Sequence, residues 1–189
     1  MWPLGHAAVA YLCYTGLCRA RTTGSPSELA VLAVLVGSQV PDLVDKPLAW
    51  YLGVLPTGRS LAHSVLLIGP LIGLAFLVAS RYGRPEYGIA AGVGAGSHLL
   101  VDVVPALWGA ADPAILLWPL LPLEPYPDGA PTIMGLLADS AGEPYFLAEF
   151  VLAAIAAVVW GRAGYPGLAL PRRAARFVRD FIAGTRASQ

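Results

Sequence analysis

Apolar stretches of helix length recur along the chain, separated by short polar loops. They cover residues 2–17, 29–40, 61–80, 88–105 and 144–160. Runs approaching 20 apolar residues match a hydrocarbon layer of about 30 Å, so each reads as a membrane-spanning helix. The polar breaks carry start and stop signals. Gly24-Ser25-Pro26-Ser27-Glu28 supplies helix-start chemistry for the second run, and Pro41-Asp42-Leu43-Val44-Asp45-Lys46-Pro47 closes it. A short apolar piece reaching Leu55 then places Trp50 and Tyr51 at headgroup level. Pro56-Thr57-Gly58-Arg59-Ser60 opens the third run, with His63 and Ser64 in its first turn, and Pro105 ends the fourth. Within 110–123 the apolar piece 115–121 is too short to cross alone, which predicts a re-entrant or interfacial segment around Trp118-Pro119. A loop with Glu124, Asp128, Asp139 and Glu143 follows. In the tail, Arg172, Arg173, Arg176, Arg179 and Arg186 surround Phe177, Val178, Phe181 and Ile182, the pattern of a basic amphipathic helix on an anionic membrane surface. The expected fold is all-α: a polytopic bundle of about five transmembrane helices with an interfacial segment. Residues 1–170 form its membrane domain and 171–189 a cytoplasmic tail.

Composition agrees with that pattern. Hydrophobic residues make up 57% of the 189, charged residues 13%, and mean hydropathy is +0.64. Soluble domains carry about 25% charged residues, so a soluble globular protein is excluded. Net charge is zero, yet Arg19, Arg21, Arg81, Arg84 and the basic tail all fall on one side of a five-span chain. The positive-inside rule makes that side cytoplasmic and puts the N-terminus and the acidic loop outside. The N-terminus lacks the basic region of a signal peptide and reads as a retained first span. Cys13 and Cys18 have neither disulfide nor metal spacing. Nucleic-acid binding is not expected, because the basic residues border the membrane.

Chemistry concentrates in the fourth run. His98 and Asp102 lie four residues apart, which stacks them on one helix face about 6 Å apart along the axis. An ionisable group there costs on the order of a few kcal/mol and needs a partner, for which a metal ion is the obvious candidate. Gly88, Gly92 and Gly96 form a small-xxx-small ridge roughly 100° around the helix from that face, predicting a central helix packed on two sides. The arginine-derived orientation brings His6, Asp42, Asp45, Arg59, Ser60, His63, His98 and Asp102 to one depth, near the outer leaflet. Two imidazoles and two carboxylates suit Zn²⁺, with Mn²⁺ or Fe²⁺ as alternatives. Duller readings exist: His6 as an interfacial anchor, Asp42 paired with Lys46, Asp45 paired with Arg59, and His98 simply hydrogen-bonded to Asp102.

At these residues the sequence resembles the YdjM-like family of membrane-bound metal-dependent hydrolases of bacteria and archaea. The resemblance rests on Gly5-His6, on Gly37-Ser38-Gln39-Val40-Pro41-Asp42-Leu43-Val44-Asp45, on Gly58-Arg59-Ser60-Leu61-Ala62-His63-Ser64, on Ser97-His98-Leu99-Leu100-Val101-Asp102 and on Trp118-Pro119. Many members have Pro-Asp-x-Asp where this chain has Pro-Asp-x-x-Asp. The order Asp…His…His-x-x-x-Asp is also similar to zinc-dependent phospholipase C enzymes. That similarity implies one zinc site of Asp42, His63, His98 and Asp102, with Asp102 bridging to a second ion held by His6. Of the later ligands only the glutamate of Tyr145…Glu149 is kept. Together these features lead to an expected membrane hydrolase with one or two divalent ions, most readily Zn²⁺. It would act on a phosphoester, a phospholipid included, through a metal-activated water, with Asp45, Arg59 and Ser64 as further catalytic candidates. The alternative is a non-enzymatic metal-binding protein: a scaffold, a sensor or a transporter. A transporter would need ionisable residues across the whole membrane, and the cytoplasmic half offers none.

Overall fold

A computed structural model describes residues 2–21, 24–126 and 129–169, together with 172, 173, 175, 176 and 179. Asp128 and most of the expected tail helix over 171–189 lie outside the described residues. The described chain is all-helical, with no strand. Its helices are α1 (Pro3–Arg21), α2 (Glu28–Trp50), α3 (Val65–Arg81), α4 (Pro85–Val103), α5 (Ile133–Ser140) and α6 (Pro144–Arg162). Two 3-10 segments, Val104–Trp108 and Pro113–Leu117, follow α4.

Small residues set the spacing of these helices. α4 lies between α2 and α3 and also touches α1. A Cβ on Gly94 would come within 2.8 Å of the Ser38 amide nitrogen on α2, and one on Gly88 within 3.0 Å of the Phe76 nitrogen on α3. Only glycine permits such backbone approach. Gly96 meets no neighbour, so the ridge toward α3 consists of Gly88 and Gly92. Ala10, Tyr14, Ala30, Val34 and Ala90 fill the space between α1, α2 and α4. Ala8, Tyr11, Val31 and Ala156 bring in α6, and Ile68, Ala95 and Leu99 join α3 to α4.

The pairs in contact fix the directions. α2 and α4 run parallel, because Gly37 meets Ala91 and Ser38 meets His98 further along both helices. α1 opposes them, with Tyr14 bonded to Glu86 at one end and His6 against Asp102 at the other. α6 runs with α1, from Trp2 against Glu149 to Tyr11 beside Trp160. One end of the bundle therefore collects the start of α1, the ends of α2 and α4, and the starts of α3 and α6.

The main departures from the sequence reading are two boundaries and one added helix. α2 does not stop at Val40; it continues through Pro41 and Pro47 to Trp50. Proline in a helix interior costs about 3 kcal/mol, but a membrane-type helix tolerates it where neighbours satisfy the freed backbone. Here α2 packs along α4, and its buried stripe runs on from Ala30, Val31 and Val34 through Gly37, Ser38, Pro41 and Asp42 to Asp45. α3 starts at Val65, not Leu61, because Ser64 caps it by accepting from the Leu66 amide. The acidic loop also contains α5, capped by Thr132. As to spans, among the described residues two helical stretches are long and apolar enough to cross a membrane, Pro85–Trp108 and Pro144–Arg162, while apolar α3 is shorter. α2 carries Glu28, Asp42, Asp45 and Lys46, which lowers its apolar character.

Candidate metal centre

The strap between α2 and α3 is built around one carboxylate. Asp45, fully buried near the end of α2, accepts from the Ser60 amide at 2.8 Å, the Ala62 amide at 2.8 Å and the His63 amide at 3.3 Å. Its Oδ2 also lies 2.8 Å from His63 Nδ1. Three amides drawn onto one side chain cannot continue a helix, which is why His63 sits in an irregular strap and not in the first turn of α3. With Nδ1 held by Asp45, His63 presents Nε2 to the interior. His98, on α4, is held the same way: its Nδ1 donates to the Ser38 carbonyl at 2.6 Å, and its Nε2 lies 3.1 Å from that of His63. Fixing the outer nitrogen of an imidazole orients the ring and sets the tautomer that exposes the other nitrogen as a lone pair.

Two carboxylates complete the group. Asp42 Oδ1 stands 3.7 Å from His63 Nε2 and 3.8 Å from His98 Nε2. Asp102 Oδ2 stands 3.4 Å and 3.8 Å from the same atoms. One ligand atom from each of Asp42, His63, His98 and Asp102 falls within 4.8 Å of the others, and all four residues are buried. Donors on a tetrahedron with bonds of about 2.0–2.2 Å lie about 3.3–3.6 Å apart, close to these separations. Asp42 Oδ1 is moreover buried with no hydrogen-bond partner. A carboxylate oxygen aimed at two imidazole lone pairs is costly unless a cation lies between them. The donors fit a divalent ion of the zinc class.

The other residues singled out from the sequence take different places. His6, buried in the first turn of α1, stacks on His98 with ring centroids 3.8 Å apart and sets Nε2 3.3 Å from Asp102 Oδ1. It thus addresses the second oxygen of Asp102 from outside the four-residue group. Arg59 pairs through Nε with Asp102 Oδ2 at 2.8 Å, not with Asp45. Enclosure disfavours its charge, but the Asp102 and Asp42 carboxylates outweigh this and hold its pKa above the ordinary guanidinium value. Ser64 is buried and engaged as the α3 cap, with its hydroxyl also 3.4 Å from the Leu116 carbonyl. Lys46, one turn beyond Asp42, is hydrogen-bonded to Asp42 Oδ2. Glu149 is buried on α6 and accepts from the Trp2 amide at 2.9 Å, while the Tyr145 hydroxyl donates to the Val101 carbonyl. Ser38 gave no signal in the sequence, since its contribution is a backbone carbonyl.

The YdjM inner membrane protein family matches residues 1–166, nearly the whole described chain. The chain belongs to this family. Its membership and its two apolar helices support association with the membrane. No curated protein and no solved structure matches it.

Proposed function

We propose that this YdjM-family protein is a membrane-bound metal-dependent hydrolase acting on a phosphoester at the outer face of the membrane. The observation that carries the reading is the buried Asp42–His63–His98–Asp102 group, two of whose carboxylates are paired with partly exposed basic side chains, Lys46 and Arg59. Asp42, His63, His98 and Asp102 would hold a divalent ion, which when bound would lower the pKa of a water toward neutrality. Asp45 is then a positioning residue, because its oxygens are engaged by the strap and by His63. Asp42 and Asp102 would serve as ligands of the ion, with Lys46 and Arg59 bonded to their carboxylates. Arg59, 44% exposed and bonded through Nε to Asp102, offers its terminal nitrogens to an anionic oxygen.

The five-span arrangement belongs to the same proposal, with residues 1–170 in the membrane and 171–189 on its cytoplasmic surface. α1, α2, α3, α4 and α6 alternate in direction as consecutive spans would, apart from the interfacial excursion between α4 and α6. Their 17–23 residues give lengths of about 26–35 Å. A lipid substrate would then meet the site at headgroup depth.

A second reading is favoured by the ligand count: four protein donors close a tetrahedron, as in structural zinc sites, whereas catalytic ones keep a position open. Elemental analysis of the purified protein, joined to a panel of phosphodiesters and phospholipids, separates the two. Turnover dependent on bound metal supports the hydrolase. A stoichiometric metal with no turnover on any member of the panel gives the site to a metal-stabilised scaffold.

A further inference from the structure

The chain has eleven arginines and a single lysine, and that lysine stands at the metal centre. We propose that Lys46 acts with Arg59 as a dibasic seat for a phosphate-type anion at the mouth of the site; this rests on the metal-centre reading above and names the ligand class it takes. The four metal-ligand residues and Asp45 are buried. Lys46 and Arg59 are bonded to two of them through side chains 26% and 44% exposed, so the basic partners are more accessible than the group they hold. Each grips a different carboxylate, Lys46 that of Asp42 and Arg59 that of Asp102, and the ligand oxygens of those carboxylates lie within 4.8 Å of each other. An ammonium has three donors and a guanidinium five, so most remain for a ligand.

Charge points the same way. Three aspartates against two basic side chains leave one negative charge, and a divalent ion turns it to one positive. A loaded site of that sign, in partly desolvated surroundings, favours an anion over a neutral ester. Lys46 is also held in place. Its Nζ lies 5.6 Å from the Trp50 ring centroid, and Gly58 packs so closely that a Cβ there would fall 3.2 Å from Lys46 Cγ and 2.9 Å from Trp50 Nε1. The Gly58 amide in turn donates to the Tyr126 hydroxyl at 3.0 Å. Beside this wedge lies a shallow, open concavity lined by Trp50, Tyr51, Pro56, Pro125 and Tyr126.

A lone lysine allows a direct test on the wild-type protein. Zinc-loaded protein in phosphatidylcholine nanodiscs is treated with an amine-reactive acetylating reagent, and modification of Lys46 is read by mass spectrometry. Inorganic phosphate, or phosphatidic acid added to the nanodisc, should slow acetylation of Lys46 at least tenfold. Protection by phosphatidic acid alone assigns the seat to a lipid headgroup, and protection by inorganic phosphate assigns it to a soluble ester. Calorimetry with inorganic phosphate supplies the second arm. Lys46→Gln at full zinc occupancy should bind phosphate at least tenfold more weakly, and Lys46→Arg within threefold of wild type. No protection by either anion, or a Lys46→Gln protein with lowered zinc affinity but unchanged phosphate affinity, overturns the seat and leaves Lys46 an orienting partner of Asp42. Phosphate protection without turnover on any ester would keep the seat and sink the hydrolase.

Discussion

His98 shows how one residue joins fold to chemistry. Its Nδ1 is tied to α2 through the Ser38 carbonyl, its ring is covered by His6, and its Nε2 faces His63. Replacing it with alanine removes a ligand and opens a space between α1, α2 and α4. A metal that binds the folded state alone stabilises it by mass action, so His98→Ala should lower bound metal and melting temperature together, and Asp102→Ala should do likewise. Elemental analysis and thermal unfolding with and without chelator check this, and full metal content in both variants would defeat the metal centre. Arg59 answers to a different measurement. If its terminal nitrogens hold a substrate oxygen, Arg59→Lys keeps metal and stability but lowers turnover at least tenfold, about 1.4 kcal/mol of transition-state binding. Equal turnover would leave Arg59 as a structural partner of Asp102.

Among the elements, the strap from α2 to α3 carries the sharpest expectation. Asp45 holds three strap amides and His63 Nδ1, so Asp45→Asn keeps the shape but loses the charge that orients the ring. Loss of such an outer partner typically lowers metal affinity about 10–100-fold. A competition titration against a zinc chelator reads this directly, and unchanged affinity would make Asp45 a fold residue only. Gly94 tests the packing beneath it. A side chain there meets the Ser38 backbone, so Gly94→Val should destabilise the protein by about 1–3 kcal/mol and shift the Ser38 carbonyl away from His98. At this scale the sequence could be read only in part. His98 and Asp102 stand out as ionisable residues in an apolar run because burial makes them costly, and Asp42 and His63 join them through the shared depth that the arginine distribution assigns. The course of α2 is not, because Pro41 and Pro47 carry a local stop signal that packing against α4 overrides. The start of α3 is hidden for a related reason: Asp45 reaches across 15 residues to the Ser60 amide, and no local pattern encodes that bond.

For the whole molecule, the exposed apolar faces and the arginines bear on how the bundle sits in the membrane. α3 exposes Leu66, Leu71, Leu74 and Leu77, and α6 exposes Leu147, Phe150, Val151, Ile155 and Val158, broad apolar faces suited to lipid. The metal-centre end collects the starts of α1, α3 and α6. The opposite end carries Arg19 and Arg21 at the close of α1, Arg81 at the close of α3 and Arg162 at the close of α6. Basic residues near span ends are retained on the cytoplasmic side, so the centre should open outward. A reporter fused after Gln189 should therefore be active in the cytoplasm, and a tag inserted at Gly142, between α5 and α6, should be reached from outside in intact cells. The site depends on alternation, because His6, Asp42, His63 and His98 come from four different elements that share a depth only if α1–α4 alternate in direction; sidedness decides which leaflet the site faces. Finding both labels on one side of the membrane would remove α6 as a fifth span. Finding the Gly142 tag in the cytoplasm would also require the access of Lys46 and Arg59 to outer-leaflet headgroups to be abandoned.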